Sequence, residues 1–164
     1  MKKFVTFSNF LVLLGIMTIF FYFIPAVNIY RDSVYNTNVN LFTATFGGPF
    51  VIYGQTKALL PCGGLIVGFF LAIAGIILTF LKCKIKFATL LAFPFYIAAG
   101  VLVACTATLL PAVNLNAGVL APQFTFNMIG GAVTVCVFWF IIGAFALIDF
   151  IATIAKPKQQ PVNY

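Results

Sequence analysis

Pro25-Ala26-Val27-Asn28-Ile29 closes one long apolar run, and Pro111-Ala112-Val113-Asn114-Leu115 closes another. The two runs also open alike, with Lys3-Phe4-Val5-Thr6 and Lys86-Phe87-Ala88-Thr89. Each is followed by a motif rich in phenylalanine that ends in paired glycines, Phe42-Thr43-Ala44-Thr45-Phe46-Gly47-Gly48 and Phe124-Thr125-Phe126-Asn127-Met128-Ile129-Gly130-Gly131, and then by a further apolar run. Composition alone does not produce Pro-Ala-Val-Asn twice, so the chain reads as a duplicated helix–loop–helix unit. Both copies start from the lysine-rich side, which makes them parallel repeats related by a pseudo-twofold axis along a membrane normal.

Composition names the solvent. Hydrophobic residues make up 63% of the 164 and charged residues 7%, against about 25% charged in a soluble domain. A water-facing surface cannot be made from so few charges, so lipid is expected around the helices. Runs of about 20 apolar residues cross a bilayer, and four fit, at about 7–28, 62–81, 87–111 and 126–155. Outer loops at 29–61 and 112–125, an inner loop at 82–86 and a disordered tail at 156–164 complete a single membrane domain. The expected fold class is therefore all-α membrane: a four-transmembrane-helix bundle of two parallel helix-hairpin repeats, with a small extracellular β-hairpin or sheet in the first outer loop. The hairpin is expected because Val39–Phe46 and Phe50–Tyr53 favour strands and Gly47-Gly48-Pro49 favours a turn.

The net charge of +7 belongs to orientation rather than to nucleic acid. Lys2, Lys3, Lys82, Lys84, Lys86, Lys156 and Lys158 fall on one side of the four-span arrangement, and only Arg31 and Lys57 fall on the other. That is the positive-inside distribution, with both termini cytoplasmic in a cell (plasma) membrane. The first run is too long for a signal-peptide core and lacks a small-x-small site before the loop, so it reads as an uncleaved helix. The expected partners are membrane lipids, with either a homo-oligomer or a larger membrane complex.

Candidate contact residues follow from side-chain size. Gly64, Gly68, Ala72 and Gly75 share a face of the second run at near four-residue spacing, and Gly100 and Ala104 lead a similar stripe in the third with Thr108 and Ala112. Small residues let helix backbones approach where lipid offers no hydrophobic incentive to pack, either inside one chain or across a dimer seam. Phe42, Phe46, Phe50 and Tyr53 are the outer-loop side chains expected to meet a partner. Asp149 is the one charge within an apolar run. It lies close enough to the inner boundary to pair with Lys82, Lys84 or Lys86, or else to contact an ion or a partner. Asn28 and Asn114 occupy matching places and are expected to cap helix ends or to bond loop backbone.

Little carries chemistry. The chain has no His and only two acids, Asp32 and Asp149, and these fall on opposite sides of the membrane, so paired acid–base catalysis is excluded. No serine or threonine has a base nearby. The cysteines at 62, 83, 105 and 136 match no metal spacing. Cys105 and Cys136 could pair or remain two buried thiols, and Cys83 within Lys-Cys-Lys is placed for S-acylation or stays unmodified. The expectation is no enzyme, no cofactor and no metal. A transporter or channel component, or a binder of lipid or a small apolar ligand, is the alternative; a transport path would use Thr18, Thr79, Thr106, Thr108, Thr134 and Asp149.

The Lys-Lys start, the Pro-Ala-Val after the first run, Phe42-x-x-x-Phe46-Gly47-Gly48 and the lysine-rich inner turn resemble the small, uncharacterised four-helix membrane proteins of low-GC Gram-positive bacteria, a resemblance that implies no activity. The layout of a long β-forming first outer loop and a shorter second one is similar to the claudin-type tetraspan plan as a shape. The Trp-Gly-Leu-Trp signature of claudins is absent, and Cys62 alone stands near their paired loop cysteines.

Overall fold

The computed structural model describes residues 7–52, 54–83, 85, 87–116 and 124–155. The tail, the segment 117–123, Lys84, Lys86 and Tyr53 lie outside them, as does the side chain of Cys83. Among the described residues the chain forms helices α1 (Phe7–Phe20), α2 (Leu41–Phe46), α3 (Gly63–Phe80), α4 (Ala88–Ala104), α5 (Thr106–Asn116) and α6 (Gly130–Ala155). It also forms strands β1 (Pro25–Arg31), β2 (Val34–Asn40), β3 (Gly48–Ile52), β4 (Gln55–Leu59) and β5 (Phe124–Met128). The antiparallel sheet β2-β1-β5 and the antiparallel hairpin β3-β4 sit together at one end of the helices.

The fold is mixed α/β, which corrects the expectation of an all-α four-helix bundle. Among the described residues, only α3 and α6 are long and apolar enough by themselves to cross a membrane. The α4–α5 pair qualifies only if it is taken as one broken span, because it bends by 60°. The first apolar helix, with its 3-10 turn at Phe21–Phe23, is shorter.

Local chemistry and long-range pairing both contribute to these departures. Ile24 precedes a proline, which pushes its backbone out of the helical region. It is extended at φ −82° and ψ 147°, and the first Pro-Ala-Val-Asn runs on as a strand paired with β2 and β5 instead of ending a helix. Cys105 interrupts the third run. There Thr106 Oγ1 donates to the Val103 carbonyl at 2.6 Å and Thr108 Oγ1 to the Cys105 carbonyl at 2.8 Å, while Pro111 lacks the amide that would meet the Ala107 carbonyl four residues back. Hydroxyls that take backbone carbonyls compete with the helical ladder and favour a bend. Ahead of the fourth run, Phe124-Thr125-Phe126 alternates buried and exposed as β5, pairing with β1 from Val27↔Met128 to Arg31↔Phe124.

The first outer loop also differs from expectation, because Leu41–Phe46 is helical. Asn40 caps it, its Oδ1 accepting from the Thr43 amide at 2.7 Å, and removing such a cap costs about 1 kcal/mol. Gly47 stops it at φ +78°, where a Cβ would lie 2.6 Å from the Leu59 carbonyl oxygen. The strands turn elsewhere. Asp32 and Ser33, both at positive φ, carry the β1–β2 hairpin, as a primed two-residue turn requires.

The helices form a ring in which α1 and α4 each pack on both α3 and α6. The repeat would place them so, but the loops do not repeat: the two Pro-Ala-Val-Asn segments are strand and helix. The helical and sheet parts differ in the make-up of their cores. Inside the helices most buried residues are small, among them Gly68, Ala72, Ala92, Ala99, Ala132 and Gly143, packed around a few large ones such as Leu11, Leu65, Tyr96, Trp139 and Ile142, while Phe70, Ile77, Phe80, Val137 and Ile151 face outward. At the sheet end the large residues Ile29, Leu41, Phe50, Ile52 and Phe126 are the ones buried.

Candidate functional site

The small-residue stripes are used inside the chain. A Cβ at Gly64 would lie 3.0 Å from Leu109, at Gly68 3.0 Å from Leu102, and at Gly75 2.8 Å from Tyr96. With buried Ala72, this face of α3 receives α4 and α5. Gly100 instead faces Phe140 of α6, and Ala104 is exposed. The second stripe therefore splits: Gly100 packs on α6, whereas Ala104 at the end of α4 and Thr108 beyond the break at Cys105 are exposed.

At the end away from the sheets, Asp149 is buried and forms an ion pair with Lys82. Ser8 Oγ donates to the same carboxylate oxygen, Oδ2, at 3.3 Å. One acid thus ties the start of α1, the turn after α3 and the last part of α6. Breaking a buried pair leaves a charge uncompensated, which outweighs what the pair itself contributes. Lys84 and Lys86, the other expected partners, lie outside the described residues.

Nearer the middle, Tyr96 stacks on Trp139 with ring centroids 5.8 Å apart and its hydroxyl bonds Thr79 Oγ1 at 3.0 Å. Trp139 Nε1 and Tyr22 Oη are buried and approach one another outside ideal hydrogen-bond geometry, and Thr89 Oγ1 is buried with no partner among the described residues. Thr18, Thr79, Thr106 and Thr108 each donate to a carbonyl of their own or the adjoining helix. Cys105 and Cys136 are free thiols.

The sheet end carries a cleft of about 320 Å³ between β2, α2 and β3. Thr37, Asn38, Asn40 and Thr43 supply its polar lining, and Phe23, Val39, Phe50 and three neighbouring apolar residues the rest. None of these is charged or titrates near neutrality. An aromatic row leads away from it: Phe23 stacks on Phe42 at 5.0 Å, Phe42 meets Phe46 at 4.8 Å, and Phe46 meets Phe69 of α3 edge-on at 5.1 Å. Of the outer-loop residues singled out from sequence, Phe42 is exposed, Phe46 is half-buried in this row, Phe50 is buried beside the cleft, and Tyr53 lies outside the described residues. Phe23, Thr37 and Asn38 were missed, because a residue read as mid-helix and two read as loop gave no sign of facing one another.

Asn114 and Asn28 have different tasks. Asn114 is fully buried; its Oδ1 accepts from the Leu60 amide at 2.9 Å and its Nδ2 donates to the Leu110 carbonyl at 3.0 Å. Asn28 is half-buried and reaches only Tyr30 Oη, at 3.3 Å. Among the described residues no group of three or more His, Cys, Asp and Glu could hold a metal. No family model matches the chain, nor does any curated protein or solved structure, and its role rests on its own chemistry.

Proposed function

We propose that the chain is a non-catalytic, multi-pass membrane protein that presents its sheet end to the outside as a recognition surface, as a structural or accessory subunit. The observation that carries this is a difference between the two parts: the helices bury mostly Gly, Ala, Ser and Thr around the Tyr96–Trp139 stack and turn large apolar side chains outward, which suits a lipid environment, whereas the sheet end has a core of Ile29, Leu41, Phe50, Ile52 and Phe126, as a water-facing domain does. Helices α3 and α6 both run from the sheet end toward Lys82 and Asp149. The chain between them has to return, and the bent α4–α5 pair supplies that third crossing. With α1 beginning beside Asp149, both termini fall on the lysine side, which the positive-inside rule makes cytoplasmic.

Assembly belongs to the outer aromatic row and cleft, since the glycine faces of α3 and α4 are filled by the chain's own side chains. The lipid-facing surfaces, Phe70, Ile77 and Phe80 among them, meet acyl chains. The missing charge at the cleft supports binding over catalysis, because general acid–base work needs a positioned titratable group.

Topology is tested by single cysteines at Gln55 (β4) and Ile154 (end of α6). In intact cells a membrane-impermeant maleimide is expected to label Gln55→Cys and to spare Ile154→Cys until lysis. The reverse pattern would overturn the orientation, and equal labelling of both would overturn the spanning arrangement. Native mass spectrometry from mild detergent is expected to show added subunits or a defined ring of copies; a lone monomer would remove the subunit role.

A further inference from the structure

We propose that the cleft at the sheet end binds a neutral saccharide unit, either free or as the headgroup of a glycolipid. The proposal rests on the reading of the sheet end as a recognition surface and names the ligand class.

The lining excludes most other chemistry. With no charged residue at the cleft, an anionic or cationic ligand would give up hydration without a counter-charge. A purely apolar ligand would instead cover polar groups that have no other partner. Asn38 Oδ1, Asn40 Nδ2 and Thr43 Oγ1 make no hydrogen bond to another described residue: Asn38 uses only its Nδ2, toward Tyr35 Oη, and Asn40 only its Oδ1, toward the Thr43 amide. The residues lining the cleft therefore hold spare acceptors, amide donors and hydroxyls that can act as either. Sugar hydroxyls, each a donor and an acceptor, match that set.

The apolar part fits the other property of a sugar, its C–H face. Phe23 is 56% exposed and lines the cleft while Phe42 stacks on it. The electron-rich face of an aromatic ring attracts the positive edge of C–H bonds. A volume of about 320 Å³ stands at the small end of ligand sites, which suits one or two sugar rings better than an extended peptide. Phe23 also closes the first apolar helix, so a headgroup could enter the cleft while its acyl chains stay among the lipid-facing side chains.

The test uses the full chain in phosphatidylcholine nanodiscs, with no glycoside detergent, titrated with methyl glucoside, methyl galactoside and methyl N-acetylglucosaminide and followed by saturation-transfer NMR. At least one is expected to bind saturably, with transfer from aromatic protons. Methyl glucuronide, the same ring with a carboxylate, is expected to bind at least about tenfold more weakly. Thr43→Val, which keeps the side-chain shape, is expected to weaken binding about fivefold, as for one neutral hydrogen bond, and Phe23→Ala about tenfold, both without moving the thermal midpoint by more than a few degrees. Nanodiscs carrying a neutral glycosyl diacylglycerol form the second arm. Binding in that arm alone assigns a membrane-borne source, and binding of the methyl glycosides assigns a soluble one.

The proposal is overturned if no glycoside binds in either arm, if Thr43→Val and Phe23→Ala leave binding unchanged, or if only extended peptides bind. The Gln55→Cys labelling separates this failure from failure of the outer-surface reading: labelling from outside with no saccharide bound removes the ligand alone, whereas labelling only after lysis removes the orientation itself.

Discussion

Pro25-Ala26-Val27-Asn28 and Pro111-Ala112-Val113-Asn114 have the same four side chains and opposite conformations. The first lies in β1, the central strand of its sheet, hydrogen-bonded to β2 on one edge and β5 on the other. The second continues α5, where Asn114 bonds back to Leu110 and across to Leu60. Neighbours make the difference. The first copy is followed by Ile29-Tyr30-Arg31 and finds two strands to pair with, so the backbone from Val27 onward is met on both edges. The second follows a helix already under way at Thr106–Leu110 and meets the loop before α3 through one buried amide. Identical local sequence carries no more than a preference, and the pairing partner outweighs it.

The comparison can be broken from the strand side first. A Cβ at Gly131 would collide with the Pro25 carbonyl oxygen and stand 3.1 Å from that of Ile24. Gly131→Ala is therefore expected to cost about 3 kcal/mol, at the upper end for overpacking, because the obstacle is backbone. Gly130→Ala, with nothing within 4 Å, is the control and is expected to be neutral or slightly stabilising. Unfolding midpoints in mixed micelles measure both, and equal effects would mean that β1 does not press on the start of α6.

The matched asparagines give the next contrast. Asn114→Leu removes two hydrogen bonds from a fully buried side chain and is expected to cost about 2 kcal/mol. Asn28→Leu removes one long bond from a half-buried side chain and is expected to cost about 0.5 kcal/mol. Equal costs would restore the equivalence of the two copies. Asp149→Asn, at the lysine end that both copies share, keeps the shape and leaves Lys82 without its counter-charge. Lys82 is 21% exposed, so its ammonium can turn toward water, and the expected loss is about 2 kcal/mol, below the full cost of orphaning a buried charge. This loss should shrink when Lys82→Met is added, in a double-mutant cycle. Asn40→Ala is expected to cost about 1 kcal/mol, from the α2 cap, read as faster amide exchange at Thr43 with the helices unchanged.

What could be read in advance depended on whether the cause was local. The face formed by Gly64, Gly68, Ala72 and Gly75 follows from helical periodicity, and the structure packs it against Leu109, Leu102 and Tyr96. Asp149 pairs with Lys82 because both lie near helix ends on the same side, a placement that spacing along the runs suggests. The Asn40 cap was equally local, but β-branched and aromatic residues at Val39–Phe46 drew that segment toward a strand reading, with no account taken of the capping side chain. Phe124-Thr125-Phe126-Asn127-Met128 alternates as a strand should, and that signal was hidden by the apolar run that follows it. The strand at Pro25 was legible in part, since a residue before proline avoids the helical region, but β1 has its partners at Val34–Asn40 and Phe124–Met128, the latter about a hundred residues away.

Composition and spacing within one element suffice for the apolar character of the long runs, the scarcity of titratable side chains and the small-residue face of α3, and those were legible in the chain alone. The tertiary structure alone decided that one Pro-Ala-Val-Asn is a strand and the other a helix, that β5 crosses from the second outer segment to join β1, and that Phe23, Asn38 and Thr43 line one cleft. Those outcomes depend on which distant backbone groups and side chains meet, and a hydrogen-bonding edge has no signature until its partner is in place.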